Sequence, residues 1–255
     1  HPETNGLPSI DYFVSSAQLE TDAADAHYSE RLIRLPGLTF YYHRSELPAQ
    51  RFGRAEIGLD PTKRLYACPQ SIYKFHPDFD EALAGILRRD PDGQIVLIRW
   101  AYQQADELLR QRFARVMPDV AHRIVFTRRF QPAEFMNFLA LVDVVLDPFP
   151  YGGGNSTLEA FSIGKPVVTL PTEFLRGRIT QAFCRRLGLD VCIASSSPEY
   201  VEIACRLGHD RNFRREICDK ILQNQSLLFA DDSAVGDWER FLKSVVADSQ
   251  IGRAH

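Results

Sequence analysis

Three consecutive glycines, at positions 152–154, stand between a short apolar run and the start of a predicted helix. A glycine backbone can adopt positive φ and approach a ligand closely, with successive N–H groups turned into one concavity. Asn155 and Ser156 follow as candidate caps of a helix that is expected to end at Gly164. A strand, a glycine turn and a helix N-terminus in this order predict an anion site that suits a phosphate.

The residues after the glycines add donors and a carboxylate to this site. The hydroxyls of Ser156 and Thr157 can donate to a phosphate, and Glu159 is expected in the first helical turn. A carboxylate there suits two ribose hydroxyls, or simply the helix dipole. No lysine follows the glycines, as a Walker A loop requires, and GGGNST lacks the G-x-G-x-x-G spacing of dinucleotide folds. A tight turn without a ligand explains one or two glycines, so three favour a phosphate site.

Two further loops carry candidate binding residues. Gln70, Ser71 and Lys74 follow the first strand of a regular strand and helix pattern. Lys74 could supply the point charge on a diphosphate that the glycine loop lacks, or it could be an ordinary solvated lysine. Phe130 and Phe135 follow the third strand of that pattern, at the start of a helix. For Phe135 the alternative interpretation is a core aromatic residue packed under that helix.

The elements that must position these loops show a regular order from about residue 52 onwards. Strand-length apolar runs alternate with helical stretches, which predicts right-handed βαβ units and a parallel sheet with ligands beyond the carboxyl ends of its strands. Before residue 52, strands are expected at 11–15 and 38–42, separated by a helix-like stretch ending at Leu32. The later strands are predicted at 64–68, 95–99, 123–127, 142–147, 167–170 and 191–194, and the helices at 79–89, 103–116, 132–141, 173–187, 198–207, 210–228 and 235–246.

Composition agrees with a soluble intracellular protein. A length of 255 residues, of which 45% are hydrophobic, allows one large domain or one domain and a piece of another. The net charge of −3 gives no general attraction to nucleic acid or to an anionic membrane. No apolar run is long enough to span a bilayer. The five cysteines are scattered, without a C-x-x-C pair, which favours free thiols in the cytoplasm and argues against a metal site.

Four segments together resemble a known family. DVVLDPFPYGGGNSTLEAFSIGKPVVTLP, at 143–171, closely resembles the C-terminal catalytic lobe of O-GlcNAc transferase and SPINDLY-like protein glycosyltransferases, including bacterial members with tetratricopeptide repeats. HPETNGLPSIDYFVSS, YSERLIRLPG and CPQSIYKFHPDFD extend the resemblance over nearly the whole chain. It implies an α/β fold: the Rossmann-like parallel-sheet lobe of a two-lobed B-type glycosyltransferase, with the tail of the first lobe. The implied domains are 1–51 for that tail, 52–234 for the nucleotide-sugar-binding lobe and 235–255 for a C-terminal helix and tail.

The resemblance also implies roles for individual residues. The lysine of the family's Tyr-Lys segment contacts the nucleotide phosphates, which assigns that role to Lys74. A backbone group at Phe130 is expected to read the uracil edge, with Phe135 packed nearby. Arg178 falls in a block that the family also has beside the glycine loop, where it could order the donor site or simply be the exposed partner of Glu173. Gln70 and Ser71 lie where the family has polar residues near the sugar and phosphates. The candidate nucleotide-sugar residues are therefore Gln70, Ser71, Lys74, Phe130, Phe135, Gly152, Gly153, Gly154, Asn155, Ser156, Thr157, Glu159 and Arg178.

The expected function is the binding of UDP-GlcNAc, or a related UDP-sugar, for O-linked transfer to a protein Ser or Thr. Helix-terminal amides and Lys74 would carry the leaving-group charge, so no cofactor and no divalent metal are expected. The expected partners are the UDP-sugar donor, a protein or peptide acceptor, and the missing first lobe with its repeats, from which the catalytic base would come. No catalytic residue is assigned here, and His76, His122 and His209 show no ligand spacing.

Other functions stay open. A UDP-sugar epimerase or hydrolase could use the same two-lobed plan, and a nucleotide-sugar-binding module without turnover could use this lobe alone. A dinucleotide dehydrogenase is a weaker rival, because it would need G-x-G-x-x-G at the first strand, where the chain has Cys68-Pro69-Gln70.

Overall fold

The computed structural model describes residues 3–251, which form two parallel sheets surrounded by helices. The strands are β1 (Tyr12–Ser16), β2 (Arg31–Leu35), β3 (Arg64–Cys68), β4 (Gly93–Ile98), β5 (Ile124–Thr127), β6 (Val144–Leu146) and β7 (Val167–Val168). The helices are α1 (Pro77–Arg89), α2 (Gln103–Val116), α3 (Pro132–Leu141), α4 (Asn155–Ser162), α5 (Ile179–Arg186), α6 (Ser197–His209), α7 (Arg211–Asn224) and α8 (Ser233–Ile251).

The larger sheet has the strand order β5-β4-β3-β6-β7, and every neighbouring pair is parallel. Its central strand is buried on both faces, since Leu65, Tyr66, Ala67 and Cys68 are each 0% exposed. Helix α6 packs against β3, β6 and β7, and α1 packs against α6 and β4. Helices on a parallel sheet exclude water from its strands, which explains their continuous apolar runs. The predicted α/β, Rossmann-like fold is confirmed.

The loops that carry the candidate residues meet at the carboxyl edge of this sheet. Ile72–Lys74 forms a 3₁₀ turn after β3, and the glycine loop connects β6 to α4. Phe75 and Pro150 form an antiparallel bridge between these two loops. The parallel strands therefore bring together two segments that are more than seventy residues apart in sequence.

The smaller sheet pairs β1 with β2 in parallel. Two predictions for this part of the chain are wrong, because β2 replaces the end of the helix-like stretch and residues 38–42 form no strand. Leu38 is buried, Phe40 packs edge-on against Phe183 of α5 at 5.7 Å, and the carbonyl of Thr39 accepts a hydrogen bond from Trp238. The apolar alternation at 38–42 thus reflects packing on helices rather than pairing in a sheet.

Two predictions after the glycine loop also need correction. The helix predicted at 173–187 begins only at Ile179, after a 3₁₀ turn at Leu175–Gly177. Gly177 packs so closely on the preceding loop that a Cβ there would fall 2.0 Å from Thr172 Oγ1, and this turn takes the place of the first helical turns. The strand predicted at 191–194 is reduced to a single bridge between Ile193 and Thr169.

Helix α8 returns to the N-terminal part of the chain. The Asp237 carboxylate accepts a hydrogen bond from the Gly37 amide at 3.1 Å, and Tyr12 meets Phe241 edge-on at 5.6 Å. The domain boundaries at 51/52 and 234/235 stay a prediction, and residues 1–2 and 252–255 of the outer segments lie outside the described residues. Within 3–251, no helix is long and apolar enough to cross a membrane. Residence in the cytoplasm stays a prediction.

Candidate functional site

A cavity of about 530 Å³ opens where the glycine loop, the Lys74 loop and the N-terminal segment meet. The sequence predicted two of the three walls of this cavity, the glycine loop and the Lys74 loop. The third wall, which was not predicted, is formed by residues from β1, Leu19 and residues 39–40. The described lining residues are Phe13, Val14, Ser15, Leu19, Thr39, Phe40, Gln70, Lys74, Tyr151, Gly152, Gly153, Gly154, Asn155, Ser156, Leu175 and Ile179.

The first two glycines of the loop are needed by the protein itself. The Gly152 amide donates to the carbonyl of Arg176 at 2.9 Å, and the Gly153 amide donates to Asp147 Oδ1 at 2.5 Å. A Cβ at Gly152 would lie 2.8 Å from Asp147 Oδ2, and one at Gly153 would lie 2.6 Å from Gln70 Nε2. None of the three glycines has positive φ, so that expectation is wrong. Close approach of neighbouring side chains is what requires glycine here.

Gly154 begins the part of the loop that faces the cavity. A Cβ at Gly154 would meet no atom within 4 Å, and α4 starts directly after it. No acceptor among the described residues lies opposite the amides of Gly154, Asn155 and Ser156. Asn155 and Ser156 therefore occupy the first helical turn instead of capping it, which corrects the sequence interpretation. Three unpaired amides at a helix N-terminus form the arrangement that binds anions.

Lys74 reaches the same cavity from the opposite loop. Its Nζ donates to Gln70 Oε1 at 2.9 Å and to the Gly152 carbonyl at 2.8 Å, and it lies 4.5 Å from the ring centroid of Tyr151. Gln70 in turn donates from Nε2 to the Ser156 hydroxyl. Burial lowers the pKa of Lys74, although the charge of Asp147 opposes this shift. An ammonium group has three N–H donors, and two of them have acceptors among the described residues, so one remains for a ligand.

Asp147 is a site residue that the sequence interpretation missed, since it read this aspartate only as the end of a strand. Its side chain is buried beneath the glycine loop, and Oδ2 accepts a hydrogen bond from Thr169 at 2.7 Å. Burial raises its pKa to about 6, although hydrogen bonds from Gly153, Thr169 and Thr180 and the charge of Lys74 act against the shift. A signal was present in the sequence, because a carboxylate at the end of an otherwise apolar strand must find partners.

Several predicted residues lie outside the cavity. The Thr157 hydroxyl is buried below the loop, 3.1 Å from that of Thr180. Arg178 donates from Nε to the Leu19 carbonyl at 2.6 Å, which connects α5 to the N-terminal segment. Ser71 is partly buried at the start of the 3₁₀ turn after β3. The binding roles of Ser71, Thr157 and Arg178 stay predictions.

Phe130 and Phe135 belong to an aromatic layer that packs against the hydrophobic core and lies outside the described cavity lining. The Phe130 ring lies between those of Phe52 and Phe138, with centroid distances of 5.9 and 4.9 Å, and Arg128 covers it at 4.9 Å. Phe135 contacts Phe138 at 6.3 Å. Within the described chain, no partner lies opposite the backbone N–H and C=O of Phe130, so both can be offered to a base edge. Uracil recognition here stays a prediction.

Glu159 is the fifth residue of α4 and therefore lies in its second turn, not in the first turn as the sequence suggested. Burial raises the pKa of its half-buried carboxyl group, and its charge acts on Tyr42. No described donor reaches this carboxylate. It is therefore available to hydroxyl groups, as a ribose contact requires.

The histidines have structural partners or exposed positions. The His76 side chain caps α1, His209 lies 3.0 Å from Asp90, and His122 is exposed. Over residues 3–251, no group of three or more His, Cys, Asp or Glu side chains could hold a metal ion. That the reaction needs no metal stays a prediction.

Comparisons with known proteins agree with this geometry. A family model described as "Glycosyl transferase family 41" matches residues 50–234. The chain is 29% identical, over 214 residues, to a probable UDP-N-acetylglucosamine–peptide N-acetylglucosaminyltransferase, SEC, of Arabidopsis thaliana. That match covers 81% of the chain but only 22% of the plant protein.

Two solved structures are also similar. A mutant O-GlcNAc transferase of Thermobaculum terrenum superposes with a TM-score of 0.83 at 23% identity, covering 96% of this chain and 46% of that one. The pneumococcal O-GlcNAc transferase in complex with UDP and GlcNAc gives a TM-score of 0.52 at 14% identity, covering 92% and 45%. At these identities the structural likeness establishes the fold.

Proposed function

Because the chain belongs to glycosyl transferase family 41, we propose that its cavity binds the diphosphate of a UDP-sugar. The observation that carries the proposal is the convergence of unpaired donors on one cavity: the amides of Gly154, Asn155 and Ser156 from one side and the third N–H of Lys74 from the other. A diphosphate offers acceptor oxygens and negative charge to both sides at once.

The same donors suit the chemistry of sugar transfer. When the bond between the sugar and the diphosphate breaks, negative charge grows on the departing phosphate oxygen. Preorganised amides and the Lys74 ammonium can stabilise this charge without a metal ion, and their fixed positions avoid reorganisation during the step. The cavity is partly apolar, with Phe13, Phe40 and Leu175 in its walls, and this weakens the competition from water.

The nucleoside is proposed to bind residues outside the described lining of this cavity. Glu159 follows the phosphate amides along α4 with a carboxylate that has no protein donor, and it is proposed to accept from the ribose hydroxyls. The unpaired backbone groups of Phe130, next to the stacked rings of Phe52 and Phe138, are proposed to read the uracil edge.

The identities of the donor sugar and of the acceptor are also proposed. N-acetylglucosamine as the sugar, with transfer to a protein Ser or Thr, is supported by the name of the similar plant protein, a UDP-N-acetylglucosamine–peptide N-acetylglucosaminyltransferase. The chain spans about a fifth of that protein. Lys74 and Tyr151 are the titratable side chains among the described lining residues, and both are better suited to donate than to accept a proton. The catalytic base is therefore proposed to come from another part of the full protein.

That distribution of groups also supports the second candidate, a nucleotide-sugar-binding module without turnover. Both candidates predict UDP binding, and they differ in whether adding a first lobe restores transfer. Incubation with labelled UDP-GlcNAc and a Ser/Thr-rich peptide, with and without a separately expressed first lobe, distinguishes them.

The binding proposal is tested by calorimetric titration of the chain with UDP, uridine, GDP and NAD in the presence of EDTA. We expect UDP to bind more tightly than the other three. Lys74→Ala should weaken UDP by about 1.5 to 3 kcal/mol and leave uridine nearly unchanged, because a charge-assisted contact to phosphate is lost.

The matched control is Lys63→Ala, which removes a partly exposed lysine at the opposite edge of the sheet, where it lies 3.3 Å from Asp92. This variant should bind UDP like the wild type. Equal losses of UDP and uridine in Lys74→Ala would contradict the phosphate assignment, and a chain that prefers NAD would contradict the proposed function.

A further inference from the structure

The buried side chain of Asp147 lies directly under the glycine loop and accepts a hydrogen bond from it. Both carboxylate oxygens have hydrogen-bond donors: Oδ1 accepts from the Gly153 amide at 2.5 Å and Oδ2 from the Thr169 hydroxyl at 2.7 Å. The backbone carbonyl of Asp147 accepts from the Tyr200 hydroxyl at 3.0 Å. The residue is 3% exposed, so it cannot touch a ligand itself.

This arrangement divides the loop into an inner and an outer part. The Gly153 amide donates to the carboxylate, whereas the next three amides have no acceptor in the part of the chain that the structure describes, and their residues line the cavity. The absence of a side chain at Gly152 lets the loop lie directly on Asp147, because a Cβ there would come within 2.8 Å of Oδ2. The direction of one amide thus sets the direction of those that follow.

Among the charges that act on Lys74, that of Asp147 has the largest effect on its pKa. The hydrogen-bond acceptors of Lys74 are the uncharged oxygens of Gln70 and Gly152. The charge of Asp147 also acts on three other titratable groups, which are Cys68 on β3, Cys184 on α5 and Tyr200 on α6. Burial raises the pKa of each of these groups, so they stay neutral, and Lys74 is the charged partner of Asp147.

We propose that Asp147 is the positioning residue of the phosphate site: its carboxylate fixes the Gly153 amide inward, and its negative charge lies directly below Gly152, whose carbonyl holds the Lys74 ammonium at the cavity. This inference rests on the proposed nucleotide binding. It adds a residue that does not contact the ligand but controls both sets of groups that do.

Two substitutions separate the two roles. Asp147→Ala removes the acceptor and the charge together, whereas Asp147→Asn keeps the shape and one acceptor oxygen for Gly153 but removes the charge. The readout is the ratio of UDP affinity to uridine affinity, which a general loss of structure would not change selectively. We expect the ratio to fall about tenfold or more in Asp147→Ala and less than about threefold in Asp147→Asn at neutral pH.

The charge has its own readout at alkaline pH. Without the Asp147 charge the pKa of Lys74 falls further, so the ratio in Asp147→Asn should decline at lower pH than in the wild type. Taking the ratio cancels the ionisation of the uracil ring, which both ligands share. In Lys74→Arg the decline should disappear, since a guanidinium does not lose its proton in this range.

A third measurement needs no ligand. The Gly153 amide proton should resonate far downfield in a ¹H–¹⁵N spectrum of the wild type, because it donates a short hydrogen bond to a carboxylate, and it should move upfield in Asp147→Asn. If Asp147→Ala does not fold, Thr169→Val replaces it, because this variant frees Oδ2 without entering the cavity and should lower the ratio to a smaller extent.

The inference is overturned if Asp147→Ala keeps the wild-type ratio, if the alkaline decline of Asp147→Asn coincides with that of the wild type, or if the Gly153 resonance does not move. A wild-type chain that binds no UDP would instead contradict the proposed function, and the Gly153 resonance would still decide whether Asp147 holds the loop.

Discussion

Two buried aspartates lie at opposite edges of the central sheet, and their pKa values are shifted in opposite directions. Asp147 follows β6 at the carboxyl edge, and Asp90 precedes β4 at the amino edge. Asp90 is 0% exposed and Asp147 is 3% exposed, so burial alone does not distinguish them. The difference lies in the partners that each carboxylate has been given.

Asp90 is surrounded by cationic and hydroxyl donors. Arg64 donates to it from two nitrogens, the Tyr66 hydroxyl donates at 2.7 Å, and His209 lies 3.0 Å away. Burial by itself would raise the pKa of Asp90, but these hydrogen bonds outweigh it and bring the pKa down to about 2. At the amino edge, therefore, the charge of the Asp90 carboxylate is balanced by the Arg64 guanidinium.

Asp147 receives an amide and hydroxyl groups instead, and burial raises its pKa to about 6. The Lys74 ammonium, which could have formed a direct ion pair with it, lies on neutral oxygens at the edge of the cavity. At the carboxyl edge, therefore, the Lys74 ammonium has no direct ion pair with Asp147 and can interact with a ligand. The raised pKa of Asp147 shows that its ionised form is less stable than that of Asp90.

The largest effect that tests this comparison is expected from Asp90→Ala. Removal of the carboxylate leaves Arg64 and the buried Tyr66 hydroxyl without their partner, which should lower the free energy of unfolding by about 3 to 4 kcal/mol. UDP affinity, measured on folded protein, should stay unchanged. Urea unfolding and calorimetry check both points, with Asp92→Ala as the control because Asp92 is exposed nearby. A parallel loss of UDP affinity would break the separation between the two edges.

The pH dependence of stability should have opposite signs for the two residues. The pKa of Asp147 is raised from 3.8 to about 6, so its contribution is fully present below about pH 4 and is lost as the pH rises to about 6. The pKa of Asp90 is lowered to about 2, so its contribution is present above about pH 4 and is lost as the pH falls to about 2. The changes in the free energy of unfolding are about 3 and about 2 kcal/mol.

Asparagine variants isolate these two contributions. Urea unfolding across the pH range should show that Asp147→Asn removes the loss between about pH 4 and 6, while Asp90→Asn removes the loss at more acid pH. If both variants change the same part of the profile, the two sites do not differ as described.

The smallest effects on stability are expected from the glycines of the carboxyl edge, where Gly153 and Gly154 should differ. Gly153→Ala should lower the free energy of unfolding by about 1 to 2 kcal/mol, because its Cβ would meet Gln70 and Thr157 at 2.6 Å. Gly154→Ala has room for its Cβ and should change stability by less than about 1 kcal/mol. It should nevertheless weaken UDP binding, because the added methyl group enters the phosphate space. Unchanged UDP affinity in folded Gly154→Ala would place the phosphate elsewhere.

Much of the fold could be predicted from local pattern. The apolar run 64–68 corresponds to β3 in both of its bounds, and the stretch 132–141 to α3, since Pro132 favours a first helical turn and a period of 3.6 residues follows. The β2 strand could not be recognised in this way, because its sequence RLIRL is partly polar and its strand form depends on pairing with β1.

For the candidate site, local pattern was enough to predict which loops take part: a glycine run before a helix and a lysine after a strand, both at the carboxyl edge of a parallel sheet. The separate roles of the residues in these loops became visible only in the folded protein. Gly152 and Gly153 make room for Asp147 and Gln70, Gly154 opens the cavity, and Arg178 turns to the Leu19 carbonyl. The physical reason is that helix and strand patterns arise from neighbours a few residues apart, whereas the direction of an amide and the pKa of a carboxylate depend on partners distant in sequence, such as Thr169 for Asp147 and Gln70 for Ser156.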